Sequence, residues 1–179
     1  MLVNGWLQGA RHKTGLGQIT NELEALGEQA TLLGWREHPK RTAAEIKRTT
    51  QEGGDSIYIV GFSYGGYSAT TLCWELSAIG VRVEELILCD AVYRLWDRLA
   101  SIRSLRNIWS IHVPTNVKRV TSWRQKVSKP SGHRVVVDGR YTSLDSRSLL
   151  VRHAQVDRAP EIKEHILAIA GGSDEAKSV

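Results

Sequence analysis

The sequence predicts an α/β fold: a mostly parallel, doubly wound sheet with helices on both faces. Three observations predict it. Residues 56–60 (Ser-Ile-Tyr-Ile-Val) and 84–89 (Glu-Glu-Leu-Ile-Leu-Cys) form nearly continuous apolar runs, as in strands buried on both faces. Between them, Ala69, Leu72, Cys73, Leu76 and Ile79 recur at helical spacing. Strand and helix patterns then alternate along the whole chain, which is how parallel strands joined by helical crossovers read.

Each element follows in order. Residues 2–7 open as a strand and pass into a polar loop that reaches Thr14. Leu16, Ile19, Leu23 and Leu26, spaced by three and four, mark one apolar helix face. Residues 30–35 are a short strand, broken by His38-Pro39. Thr42, with Glu45 three residues on, is expected to N-cap the next helix as a capping box. Gly53-Gly54-Asp55 turns into the strand at 56, and Gly80 stops the helix that follows it. Residues 94–107, carrying Leu95, Leu99, Ile102 and Leu105, read as helical, and 117–123 as a strand after Pro114. Residues 124–147 carry the weakest pattern, with a turn at Lys129-Pro130-Ser131-Gly132 and a short strand at Val135-Val136-Val137. The last helix starts near Pro160, a favoured first helical residue, and aligns Ile162, Ile166 and Ile169.

A chain of 179 residues suffices for one well-buried core and is short for two. Residues 1–170 therefore read as one domain, and 171–179, all small, polar or charged apart from Ala176 and Val179, as a disordered tail. The net charge of +5 speaks to association and solubility rather than to fold. The first residues lack the charged and apolar regions of a signal peptide, and no run of about 20 apolar residues marks a membrane span. A cytoplasmic, reducing compartment is the expectation, with Cys73 and Cys89 free and buried; a disulfide between them is the less favoured alternative. The two cysteines lack CxxC spacing and no HExxH occurs, so no metal site is expected.

The chemistry points to Gly61-Phe62-Ser63-Tyr64-Gly65, a G-x-S-x-G pattern. A turn sharp enough to lift a serine hydroxyl above a sheet crowds the residues two before and two after it, so both must be small. Gly61 and Gly65 satisfy that, and Gly66 lets the following helix pack close to a strand. The five-residue pattern is weak alone, but here a buried strand runs into it and an amphipathic helix runs out, the setting such a turn requires.

A serine hydroxyl attacks only when a base takes its proton. Of the six histidines, His153 lies in the loop before the final helix, from which it can reach back over the sheet. His165 sits mid-helix, and His12 and His38 precede the serine. An acid must orient the imidazole. Asp90 ends the strand after the serine's helix and is favoured, although it can also serve as a helix cap. Asp138 is its main rival and Asp145 a weaker one. Backbone N–H groups are expected to hold the negative charge that develops on a substrate oxygen: that of Tyr64, at the head of the helix, and one from the loop after the first strand, at Trp6 or Leu7.

With Ser63, Asp90 and His153 in that order, the chain resembles the α/β-hydrolase superfamily over nearly its whole length. The resemblance is strongest at residues 61–66 and 153–169, and in size and lack of a cap the chain looks like cutinase-type and small lipase-like members. It implies a serine esterase that needs no metal or organic cofactor, and the expected reaction is hydrolysis of small carboxylic esters or thioesters in an open site. Trp6, Leu7, Phe62, Tyr64 and Trp96 are its expected apolar walls. The chain departs from the family pattern in three ways. Asn4-Gly5 replaces the usual His-Gly before the oxyanion loop, the leading antiparallel strands are not seen, and the acid, commonly one strand later, has no carboxylate at Trp123-Arg124-Gln125.

Two further readings stand beside the ester hydrolase. An acyltransferase or peptidase would share the same residues. A non-catalytic protein on this scaffold could instead bind nucleic acid or anions through Lys118, Arg119, Arg124, Lys126, Lys129 and Arg134, with Trp123 among them. No known nucleic-acid motif supports it, and a solvated basic face is the plainer account.

Overall fold

The computed structural model describes residues 2–3, 14–34, 37–50, 56–92, 110–129 and 131–175. The chain runs β1 (Leu2–Val3), α1 (Gly15–Ala25), β2 (Leu32–Leu33), α2 (Pro39–Thr50), β3 (Tyr58–Phe62), α3 (Tyr64–Ala78), β4 (Val83–Cys89), β5 (Ser110–His112), β6 (Val117–Gln125), β7 (Arg134–Val136) and β8 (Ser143–Leu149). A 3-10 helix over His153–Arg158 and α4 (Pro160–Glu175) complete it.

Among the described residues, one sheet has the strand order β2-β1-β3-β4-β6-β8, and every pairing in it is parallel. Helices cover both faces. The pleat sends Ile59, Leu86, Leu88 and Val120 to the side of α2 and α3, where they meet Ile46, Leu72 and Leu76. It sends Val60, Phe62, Ile87 and Trp123 to the other side, against Leu16 and Ile19 of α1 and Ile162 and Ile166 of α4. Two-sided burial is why the central strands read as unbroken apolar runs. Each fully buried leucine or isoleucine contributes about 1.5–3 kcal/mol through removal of apolar surface from water. Cys73 belongs to the first core and Cys89 to the second, on opposite faces of the sheet, and both are free.

Three expectations change, and one expected strand falls in a separate sheet. The helix expected to begin at Thr42 begins at Pro39, whose fixed φ suits a first helical position; Thr42 lies inside α2 and its hydroxyl donates to the His38 carbonyl at 3.2 Å. β8 was not expected: its sequence, Ser-Leu-Asp-Ser-Arg-Ser-Leu, lies mostly exposed at the sheet edge and is held by backbone pairing with β6. β7 does not join the main sheet but pairs with β5 in a separate two-stranded sheet. Helix α4 runs to Glu175, beyond Gly171, where the tail was expected to start. The helix expected over residues 94–107 lies outside the described residues. No helix among those described is long and apolar enough to cross a membrane.

The strand order reverses between β1 and β3. In open parallel sheets, the crevice at the carboxyl ends of the strands beside such a reversal is where ligands bind. Ser63 follows β3 at that crevice.

Candidate active site

β3, β4 and β6 end nearly level: Phe62 pairs with Cys89, and Cys89 with Trp123. The next residues on the first two strands, Ser63 and Asp90, therefore emerge side by side.

Ser63 has φ 53° and ψ −123°, a conformation that side chains other than glycine rarely adopt and that costs of order 1–3 kcal/mol. The surroundings hold it there. Its N–H donates to the Cys89 carbonyl at 3.0 Å, and its own carbonyl accepts from Gly66 and Val92, each at 3.0 Å. The glycines permit the turn by close approach. A Cβ on Gly61 would lie 2.6 Å from Gly66 Cα, and one on Gly66 would lie 2.2 Å from Ala91 Cβ. Tyr64 is the first residue of α3, so its backbone N–H belongs to the positive end of that helix.

Asp90 is fully buried and also has a positive φ, 46°. Its N–H donates to the Trp123 carbonyl at 2.7 Å. Its Oδ1 accepts two backbone N–H groups, from Gly132 at 2.6 Å and Gln125 at 3.2 Å. That leaves Oδ2 to His153 Nδ1, 2.6 Å away. His153 Nε2 lies 2.9 Å from Ser63 Oγ, and the Phe62 ring packs with its centroid 5.2 Å from that of the imidazole. A carboxylate only accepts hydrogen bonds, so its contact puts the imidazole proton on Nδ1 and leaves Nε2 to accept from the serine hydroxyl.

The loop behind Asp90 is tied by the Gln125 side chain. Its amide donates to the Ser128 carbonyl at 2.6 Å, and its Oε1 accepts from Val127 and Ser128 N–H at 2.8 Å. Ser128 Oγ in turn accepts the His153 N–H at 3.2 Å. The far end of the 3-10 helix is anchored by Asp157, which is buried and accepts the Gly15 N–H at 2.9 Å. None of Gln125, Ser128, Gly132 and Asp157 was singled out from sequence as part of this site. Gly132 is the one with a sequence signal, as the end of a Pro-Ser-Gly turn; a Cβ there would lie 2.7 Å from Asp90 Oδ1.

The rival acids lie elsewhere. Asp138 is half-buried and makes a two-point contact with Arg140, at 2.7 and 3.1 Å. Hydrogen bonds from the Arg140 side chain and backbone hold its carboxyl below the usual range. Asp145 pairs with Arg147 at 2.7 Å. His165 contacts not the serine but the buried Glu85, at 2.9 Å. Phe62, expected to line a pocket, is 4% exposed and belongs to the core beneath His153. Trp6, Leu7 and Trp96 lie outside the described residues. Burial pushes both thiols upward, Cys89 further opposed by the charges of Asp157 and Asp90, so neither cysteine is poised as a nucleophile.

The basic run is split between two settings. Lys118 pairs with Glu84 at 2.9 Å, and Arg119 approaches Glu85 at 3.8 Å. Arg124, Lys126, Lys129 and Arg134 converge instead on a groove beyond β6. Trp123 is 5% exposed and faces the α1–α4 side.

No family model and no curated protein matches the chain. Solved structures of similar fold include a Vlm2 thioesterase domain, 18% identical, over 94% of this chain and 90% of that one, with a TM-score of 0.48. Another is a Vlm2 thioesterase domain with genetically encoded 2,3-diaminopropionic acid bound with a dodecadepsipeptide, 12% identical, over 92% and 90%, TM-score 0.49. A third is the RedJ thioesterase from the prodiginine biosynthetic pathway in Streptomyces coelicolor, 12% identical, over 95% and 84%, TM-score 0.47. The likeness is one of fold: the chain is an α/β protein with a parallel sheet, as the strand pairings show.

Proposed function

We propose that this chain is a serine hydrolase of carboxylic esters and thioesters, acting through an acyl-enzyme on Ser63, His153 and Asp90. The observation that carries the proposal is the unbroken hydrogen-bond chain from Ser63 Oγ through both ring nitrogens of His153 to Asp90 Oδ2, at 2.9 and 2.6 Å.

The chemistry follows from that chain. Ser63 Oγ attacks the acyl carbon as its proton passes to His153 Nε2. Asp90, its other oxygen held by two backbone N–H groups, keeps the ring oriented and stabilises the imidazolium. The Tyr64 N–H meets the oxyanion, and a second backbone donor is expected from the residues after β1, at Trp6 or Leu7. The tetrahedral intermediate collapses as His153 returns the proton to the departing alkoxide or thiolate, leaving the acyl group on Ser63 Oγ. Water then attacks the acyl carbon, again giving a proton to Nε2. Collapse of the second intermediate releases the acid and restores the serine hydroxyl.

Hydrolysis of a p-nitrophenyl ester series, from short to medium acyl chains, tests the proposal. Wild-type turnover that falls on the order of a millionfold in Ser63→Ala supports it. Wild-type turnover no faster than that of Ser63→Ala contradicts it.

A further inference from the structure

The divided basic run leaves four cations around one concavity. The groove has a volume of about 760 Å³ and lies over β6 and β8, between them and β7. Arg124, Lys126, Lys129 and Arg134 line it, none of them in an ion pair with a described residue; Arg147, which also lines it, is paired with Asp145, and no carboxylate is among its described lining residues. Strand register sets Ser122 beside Ser146 and Arg124 beside Ser148, so hydroxyls and cations alternate across its floor. Ser122, 3% exposed, forms part of that floor.

We infer that this groove is a binding site for a phosphate-bearing ligand. Such a ligand supplies what the lining lacks. Its oxygens are strong acceptors for guanidinium forks, ammonium groups and serine hydroxyls, and its charge offsets four uncompensated cations. Carrying two or more oxygens on one centre, it suits a lining that mixes short hydroxyl donors with long cationic arms. A single-stranded nucleic acid fits less well: among its described lining residues the groove has no aromatic on which bases would stack, and Trp123 is buried on the other face.

Calorimetric titration with inorganic pyrophosphate at constant ionic strength tests it. The wild type is expected to bind one equivalent saturably. Arg124→Ala with Arg134→Ala, and separately Ser146→Glu, are expected to weaken binding roughly tenfold or more while melting like the wild type. Lys118→Ala with Arg119→Ala, which removes the same charge from outside the groove, is expected to leave binding unchanged. Absence of saturable binding overturns the inference, as does equal weakening in the Lys118/Arg119 variant, which marks diffuse surface charge. A short oligodeoxythymidine that binds more tightly than pyrophosphate overturns it in favour of nucleic acid.

Discussion

Asp157 and Gly15, at opposite ends of the chain, are joined by a buried hydrogen bond of 2.9 Å from the Gly15 N–H to Asp157 Oδ2. The bond satisfies a donor at the head of α1 and pins the far end of the short helix that begins with His153. Asp157→Ala strands that donor and is expected to cost about 1–3 kcal/mol. Gly15→Ala is expected to be worse, because its Cβ would lie 1.9 Å from the Asp157 carbonyl oxygen. Both variants should lower the melting temperature and, by displacing His153, lower kcat for ester substrates more than they raise KM. A melting temperature unchanged in Gly15→Ala contradicts this packing.

Asp90→Asn separates the acid's role from its bulk. The two backbone donors on Oδ1 hold the amide oxygen there, so the amide nitrogen faces His153 Nδ1. The ring must then accept at Nδ1 and carry its proton on Nε2, where it can no longer take one from Ser63. A fall in kcat on the order of 10⁴ is expected. Asp138→Asn should leave kcat unchanged, since Asp138 is engaged with Arg140. Parallel steady-state kinetics decide it, and loss of turnover in Asp138→Asn would move the acid.

Gly66 and Ala91 set the spacing between α3 and the turn that begins at Asp90. Gly66→Ala would place two methyl carbons 2.2 Å apart, and the displacement is expected to cost about 1–3 kcal/mol and to slow turnover. Adding Ala91→Gly removes the opposing methyl and should restore part of both losses. A double-mutant cycle on thermal melts reads the coupling, and strictly additive effects contradict direct contact.

Glu85 predicts how stability responds to acid. It is 2% exposed and accepts from the Thr121 hydroxyl and from His165. Burial pushes its carboxyl upward, but the bonds from His165 and Thr121, with the His165 and Arg119 charges, outweigh that and hold it below the usual range. A carboxyl depressed in the folded state binds fewer protons there than in the unfolded chain. Its contribution is therefore present above the ordinary carboxylate value of about 4.3 and is lost as pH falls through the lower folded value. Melts of wild type and Glu85→Gln should differ most at neutral pH and converge below about pH 4. A difference that widens in acid reverses the sign and contradicts the assignment.

What was legible from sequence follows where the physics is local. β3, α3 and β4 carry their burial in their composition, and the Ser63 turn demands small residues at fixed positions. Chain order, with Asp90 at a strand end and His153 in the loop before the last helix, favoured the three residues that the structure joins by hydrogen bonds. What was illegible depends on partners distant in sequence. β8 is an edge strand whose serines and charges face water, so no hydrophobic period marks it. Thr42 matches a capping pattern, yet Pro39 starts the helix a turn earlier. The groups that orient Asp90 are backbone N–H donors from Gln125 and Gly132, which any non-proline residue possesses, so side-chain identity does not announce them.

Covalent labelling reads the nucleophile itself. Treated with a fluorophosphonate, the protein is expected to gain one adduct mass, mapped by peptide mass spectrometry to Ser63. Labelling should disappear in Ser63→Ala and slow greatly in His153→Ala, in which no base activates the hydroxyl. An unlabelled wild type, or an adduct on another residue that persists in Ser63→Ala, would contradict the assignment of Ser63 as the nucleophile.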